Sequence, residues 1–225
     1  GSIYKVGGAY GFDTANDPMA QLSDRIAIAM FLRGDVEAAK VTYAYTVPQD
    51  CFEQNLTAGF PNLFTNLGLI AAIGSVPQGD REIPPGVIEL SPADSTKPAL
   101  LKDAKTAALW EQANKEKLAV SATGQLRLDG RANSFTVTTP RTESVTLKSG
   151  SLAAGTLRIR NASCFQTVAA ISLDGKALAE SDSVLVVQLT NLSNTGILFG
   201  NESKRLVKKT GALPLLILKG SATVE

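Results

Sequence analysis

Met19, Leu22, Ile26 and Met30, with Ala29 beside them, recur at helical spacing near the start of the chain. Asp17-Pro18 precedes them as an N-cap acid followed by proline at the first helical position. Arg33-Gly34 closes the segment with a cation in the last turn and a glycine C-cap. The pattern predicts a helix over 17–33, after a loop holding Gly7, Gly8, Tyr10, Gly11 and Phe12. From residue 37 the pattern alternates. Val41 to Val47 (VTYAYTV) is β-branched and aromatic and stops at Pro48, so it reads as a strand. Phe60 to Ile73 reads as a short helix from Pro61-Asn62 with a break at Gly74, and Val87 to Leu90 as a short strand. Ser95 and Thr96 are candidate caps for a helix over Lys97 to Lys117, with Leu101, Ala104, Ala108 and Leu109 inward. Beyond residue 120 helical spacing vanishes. Eight alternating runs follow: Gln125–Asp129, Ser134–Thr138, Glu143–Leu147, Thr156–Arg160, Phe165–Leu173, Ser183–Thr190, Lys204–Lys208 and Leu213–Leu218. Asp129-Gly130 and Asp174-Gly175 are hairpin signals between them. The order predicts an α+β chain: a small α/β, flavodoxin-like layer, then an antiparallel β-sandwich. No internal repeat and no low-complexity segment interrupts it.

Composition narrows the chemistry. The 225 residues are 44% apolar and 19% charged with a net charge of +1, enough for a sizeable core and too balanced for a disordered charged tail. That balance leaves no footprint for nucleic acid or an anionic membrane, so neither is an expected partner. Histidine is absent, which excludes a Ser-His-Asp triad, a Cys-His dyad and any histidine metal site within the chain. Cys51 and Cys164 are too few for a thiolate zinc site, and their places in different proposed domains predict that they are not bonded to each other. Neither G-x-G-x-x-G nor G-x-x-x-x-G-K-[ST] occurs, and no cofactor or metal is expected. No apolar run reaches the 18 residues of a membrane span. Gly1-Ser2 reads as a protease scar, so the chain is expected to be a piece of a longer protein.

Three stretches carry a family resemblance. Residues 13–36 (DTANDPMAQLSDRIAIAMFLRGDV) resemble the last helix of the catalytic (β/α)8 barrel of large glycoside hydrolases. Thr123–Arg141 (TGQLRLDGRANSFTVTTPR) resembles the strand pair that opens their terminal β-domain. Ile171–Gly196 (ISLDGKALAESDSVLVVQLTNLSNTG) resembles a further segment of that domain. The order of parts is similar to family 42-type β-galactosidases. The resemblance covers under half of the chain and concerns architecture, not substrate. It implies residues 1–36 as the tail of a barrel, 37–119 as an α/β accessory domain and 120–225 as an all-β sandwich. It also implies a parent catalytic barrel as partner, and oligomer contacts through the α/β domain.

The residues themselves give these motifs structural jobs. Leu173 to Lys176 is a strand, a tight turn and a return, and Asn194-Thr195-Gly196 is a turn. A glycosidase needs two carboxylates roughly 5–9.5 Å apart across a sugar. Asp13, Asp17, Asp24, Asp35, Glu37, Asp129, Glu143 and Asp174 fall instead at caps, turns and helix faces, and no catalytic residue is assigned. Residues 120–225 hold no Trp and no Tyr, only Phe135, Phe165 and Phe199, which argues against aromatic sugar platforms there. The aromatic-rich spot is Tyr4, Tyr10 and Phe12. With a parent barrel, Tyr10, Phe12 and Asp13 are the candidate substrate-binding residues. The function expected is a non-catalytic accessory and assembly region of a glycoside hydrolase, inactive alone. A free-standing β-sandwich that binds carbohydrate or protein is the alternative. Arg33-Gly34-Asp35 spells an integrin-binding tripeptide, but its flanks favour a helix stop. Asn55, Asn161, Asn191 and Asn201 head glycosylation triplets. Phe60, Leu63, Phe64, Leu67, Leu69 and Ile70 crowd one short stretch. They predict a homo-oligomer built through 60–73 or through 17–33.

Overall fold

The computed structural model describes residues 17–49, 67–77, 79, 82–90, 102–202 and 206–225. They form two compact units: residues 37–137, and residues 17–36 together with 138–225.

In the first unit, β1 (Thr42–Val47) lies between β2 (Ala72–Pro77) and β3 (Ile88–Leu90), parallel to both. Tyr43, Ala44, Tyr45 and Val47 are all buried, as a central parallel strand covered on both faces requires. Helix α2 (Ala104–Glu116) buries Thr106, Trp110 and Ala113, spaced four and three residues apart on one face. Trp110 and Ala113 join Tyr43, Tyr45, Leu67, Ile70 and Leu90 in one core. Then β4 (Leu118–Val120), β5 (Leu126–Asp129) and β6 (Ser134–Thr138) pair antiparallel in sequence.

In the second unit, α1 (Pro18–Arg33) is capped as its sequence predicts. Asp17 accepts a hydrogen bond from Ala20 N–H at 2.9 Å, and Gly34 at φ 61° returns its N–H to the last carbonyls. Strand β10 (Gln166–Ser172) pairs antiparallel with β7 (Thr142–Leu147) on one side and β11 (Val184–Leu189) on the other. A second antiparallel sheet orders β16 (Thr223–Val224), β9 (Leu157–Ala162) and β8 (Gly150–Ala154). Val145, Leu147, Val168 and Ala170 face Ala154, Leu157, Ile159 and Ala162 in a sandwich core. The alternate residues of β10 and β11, Ala169, Ile171 and Val187, meet Leu22 and Ile26 of α1. Strand β10 is therefore covered twice, by a sheet and by a helix. Two ribbons complete the unit: β12 (Leu192–Thr195) with β15 (Ala212–Ile217), and β13 (Leu198–Phe199) with β14 (Val207–Lys209).

The α+β class and the antiparallel, sandwich-like sheets match the expectation. A flavodoxin-like layer is not seen: the described residues supply three short parallel strands and one helix. The expected helix over 60–73 gives way at its end to β2. Ala72 and Ile73 are strand residues there, and Gly74 continues the strand where a break was expected. Helix α2 is capped by Asp103, and it turns Trp110 inward while Ala104 and Ala108 face solvent. Residues 95 and 96, and most of the crowded 60–70 stretch, lie outside the described residues. Of that stretch, Leu67 and Ile70 are buried in their own unit's core. The second boundary between the compact units falls at 137/138. Strands β4 to β6 stay with α2, tied by Gly130 N–H to Lys117 C=O at 2.7 Å and Ser121 N–H to Leu126 C=O at 2.9 Å.

Candidate functional site

The densest polar cluster gathers around Asp35. Its side chain is fully buried, one residue beyond the Gly34 cap. Arg33 Nη2 donates to Asp35 Oδ2, as does Thr142 Oγ1 at 2.8 Å. Arg141 Nε stands 2.9 Å from Oδ1 as a charge contact that lacks hydrogen-bond alignment. Arg33 also donates to Ser172 C=O at 2.6 Å and to Thr142 Oγ1 at 2.9 Å, and Arg141 Nη2 donates to Arg33 C=O at 2.8 Å. One carboxylate between two guanidinium groups locks the end of α1 to β7 and β10. The tripeptide 33–35 is thus a helix stop with its acid sealed inside, unable to reach an integrin.

The Asp174 turn is the second cluster. Asp174 Oδ1 accepts from Ser181 Oγ at 2.8 Å, Ser172 Oγ at 2.9 Å and Lys176 N–H at 3.2 Å; Oδ2 accepts from Asp182 N–H at 2.9 Å. The Ser181 hydroxyl, then the Asp182 N–H, the Ser172 hydroxyl and the Lys176 N–H, hold this carboxyl far below the usual aspartate range against a smaller opposing effect of burial. Lys176 Nζ also pairs with Asp182. The carboxylate is an organising centre for the loop between β10 and β11. Glu143 does the same for the β8–β9 turn, accepting from Thr156 N–H and Oγ1 at 2.9 Å each and from Leu157 N–H at 2.7 Å.

The other acids have similar duties. Asp103 caps α2 through Thr106, whose side-chain and backbone hydrogen bonds lower its pKa. Asp129 accepts from Ala132 N–H at 2.9 Å and Arg131 N–H at 3.0 Å, and these bonds, the Ala132 one first, lower its pKa. Asp24 and Glu37 are exposed. Tyr4, Tyr10, Phe12 and Asp13 lie outside the described residues, as does Cys51. Cys164 is a free thiol. Phe165 is half exposed, contrary to the default of core packing, because β10 begins one residue later.

Among the clefts open within the units, two stand out by size. One, of about 360 Å³, is lined by Glu37, Lys40, Asp103, Lys105 and Thr106. It adjoins the starting end of β1, opposite to the strand ends where parallel sheets bind ligands. Lys105 Nζ is already engaged there by Ala122 C=O at 3.1 Å. The other, of about 470 Å³, is mostly apolar, with Leu192, Ile197, Phe199, Leu216 and Ile217 in its wall and Lys219 at its edge. Sequence reading missed it because its wall joins residues from separate short ribbons. Among the described residues no group of three or more acids and thiols converges that could hold a metal ion. No described helix is long and apolar enough to cross a membrane. Comparison with family models, curated proteins and solved structures gives no match.

Proposed function

We propose that this chain is the non-catalytic accessory and assembly region of a carbohydrate-active glycoside hydrolase, packed against a parent catalytic barrel through α1. One observation carries the reading: α1 is apolar on two sides. Leu22 and Ile26 rest on the β10–β11 sheet, while Ile28, Phe31 and Leu32, at i, i+3 and i+4, form a second stripe that is 56%, 85% and 76% exposed. A helix with two apolar faces suits a position between two layers. The acids support the non-catalytic part, because Asp17, Asp35, Asp103, Asp129, Glu143 and Asp174 each serve a cap, a turn or a buried ion pair. The flavodoxin-like expectation for the first unit belongs to the same reading, and the parallel order β2-β1-β3 is compatible with a fragment of such a layer.

The test is the gene that encodes the chain, read together with activity. A (β/α)8 barrel with its own carboxylate pair is expected upstream in the same reading frame. The chain alone is expected to leave aryl glycosides intact. A reading frame without such a domain overturns the proposal. So does turnover by the chain that disappears on substituting one of its own acids.

A further inference from the structure

We propose that the two C-terminal ribbons, β12–β15 and β13–β14, form a docking surface for an anionic lipid–water interface. Strand β15 is the first observation. Its residues run Ala-Leu-Pro-Leu-Leu-Ile, and alternate side chains point to opposite faces. Leu216 and Ile217, neighbours on opposite faces, are both exposed, the latter at 59%, and Leu213, in the irregular stretch before them, is exposed at 67%. A near-continuous apolar strand is the pattern of one buried on both faces, yet this one pairs only with β12. Leu198, Leu206 and Leu218, also exposed, extend the apolar surface beside it.

Charge selects the occupant. The described residues of 190–220 hold three cations, Lys208, Lys209 and Lys219, against one acid, Glu202, in a chain whose net charge is +1. Lys208 and Lys209 are exposed on β14, and Lys209 is in register with Leu198. Lys219 edges the apolar cleft that Leu216 and Ile217 line. Among the described residues no carboxylate pairs with any of these three lysines. A second copy docked face to face would bring the lysines together, which disfavours self-pairing. A flat protein surface covers one face of the ribbon only. An interface of anionic headgroups over acyl chains meets both faces with apolar contact and the lysine rim with negative charge. The balanced charge of the whole chain conceals this local asymmetry.

The experiment is vesicle co-sedimentation of the intact chain. Phosphatidylcholine vesicles with added phosphatidylserine should bind it at least about tenfold more tightly than phosphatidylcholine alone, and salt should weaken the binding. Lys208→Glu with Lys209→Glu should abolish the preference for phosphatidylserine. Leu213→Ser with Ile217→Ser should abolish binding to both vesicles. All four positions are exposed, and an unchanged circular-dichroism spectrum verifies that each variant folds. Equal binding to both lipids, or binding to neither, overturns the proposal. A concentration-dependent dimer that Leu213→Ser with Ile217→Ser dissociates overturns it in favour of a second copy. An activity result for the parent enzyme bears on the preceding section alone.

Discussion

Asp35 joins parts of the chain more than 100 residues apart, so its substitution reports on a tertiary joint and not on a local turn. Asp35→Ala would leave Arg33 and Arg141 facing each other without their shared anion, and Thr142 Oγ1 without its acceptor. Breaking a buried pair from one side costs about 3–5 kcal/mol; both arginines are partly open to water, so about 2–4 kcal/mol is expected from urea unfolding. Asp174 gives the acid-side counterpart. Its native carboxyl ionises far below the unfolded value of about 3.9, so its stabilisation is full above that value, declines as the pH falls below it, and is lost once the pH has passed through the lower native one. The carboxyl carbon resonance of Asp174 should therefore stay constant through pH ~4. An ordinary midpoint there would contradict the hydrogen bonds described. The contrast between the two acids explains what was legible. Asp174-Gly175 is a turn that its own neighbours encode, with all its partners within eight residues. Arg33-Gly34-Asp35 shows the helix stop in sequence, but nothing local tells of Arg141 and Thr142.

Elements were legible where one rule decided them. The caps of α1, the β-branched run of β1 and the alternating strands β5, β6, β7 and β10 follow from spacing and turn residues. Strands β8, β12 and β13 were not read, because Gly-Ser-Leu-Ala-Ala, Leu-Ser-Asn-Thr and Leu-Phe are too short or too small-residue-rich to alternate. In α2 the alanines misled. An alanine suits either face, so the only Trp of the chain sets the rotation of the helix. Trp110→Ala should cost about 3–5 kcal/mol by emptying the core it shares with Tyr43 and Tyr45. Trp110→Phe should cost much less, since the buried Nε1 has no hydrogen-bond partner to lose. The β8–β9 hairpin offers a sharper test of local geometry. Gly155 has φ 60°, and a Cβ there would lie 2.0 Å from Glu143 Oε1. Gly155→Ala should therefore destabilise by more than the ~1 kcal/mol of a strained turn alone, because it also displaces the carboxylate that fixes the turn. Thermal unfolding of Gly155→Ala beside Glu143→Gln checks this, and a Gly155→Ala protein as stable as the parent would refute the contact.

At the scale of the molecule, the sequence predicts association through 60–73 or through 17–33, whose helical stripe carries Met19, Leu22 and Ile26. The structure gives Leu22 and Ile26 a partner within the chain, the β10–β11 sheet, and moves the uncovered apolar surface to Ile28, Phe31 and Leu32. The source of that shift is a contact between residues about 145 positions apart, beyond the reach of helical periodicity. The consequence for assembly is specific. Leu67 and Ile70 are covered, so the described part of the 60–73 stretch offers little for association, whereas the outer stripe of α1 offers three large apolar side chains. Without the barrel proposed to cover it, that stripe should drive the chain to associate with itself. Light scattering should show an apparent mass that rises with concentration, and salt should not reverse it, because the contact is apolar. Phe31→Ser with Leu32→Ser should return the chain to monomer at unchanged helix content, since neither side chain contributes to the sheet-facing side. Leu22→Ser should instead loosen α1 from β10 and lower stability without curing association. A strict monomer at high concentration, or association that survives Phe31→Ser with Leu32→Ser, would place the contact elsewhere and remove the main support for α1 as the packing face toward a parent domain.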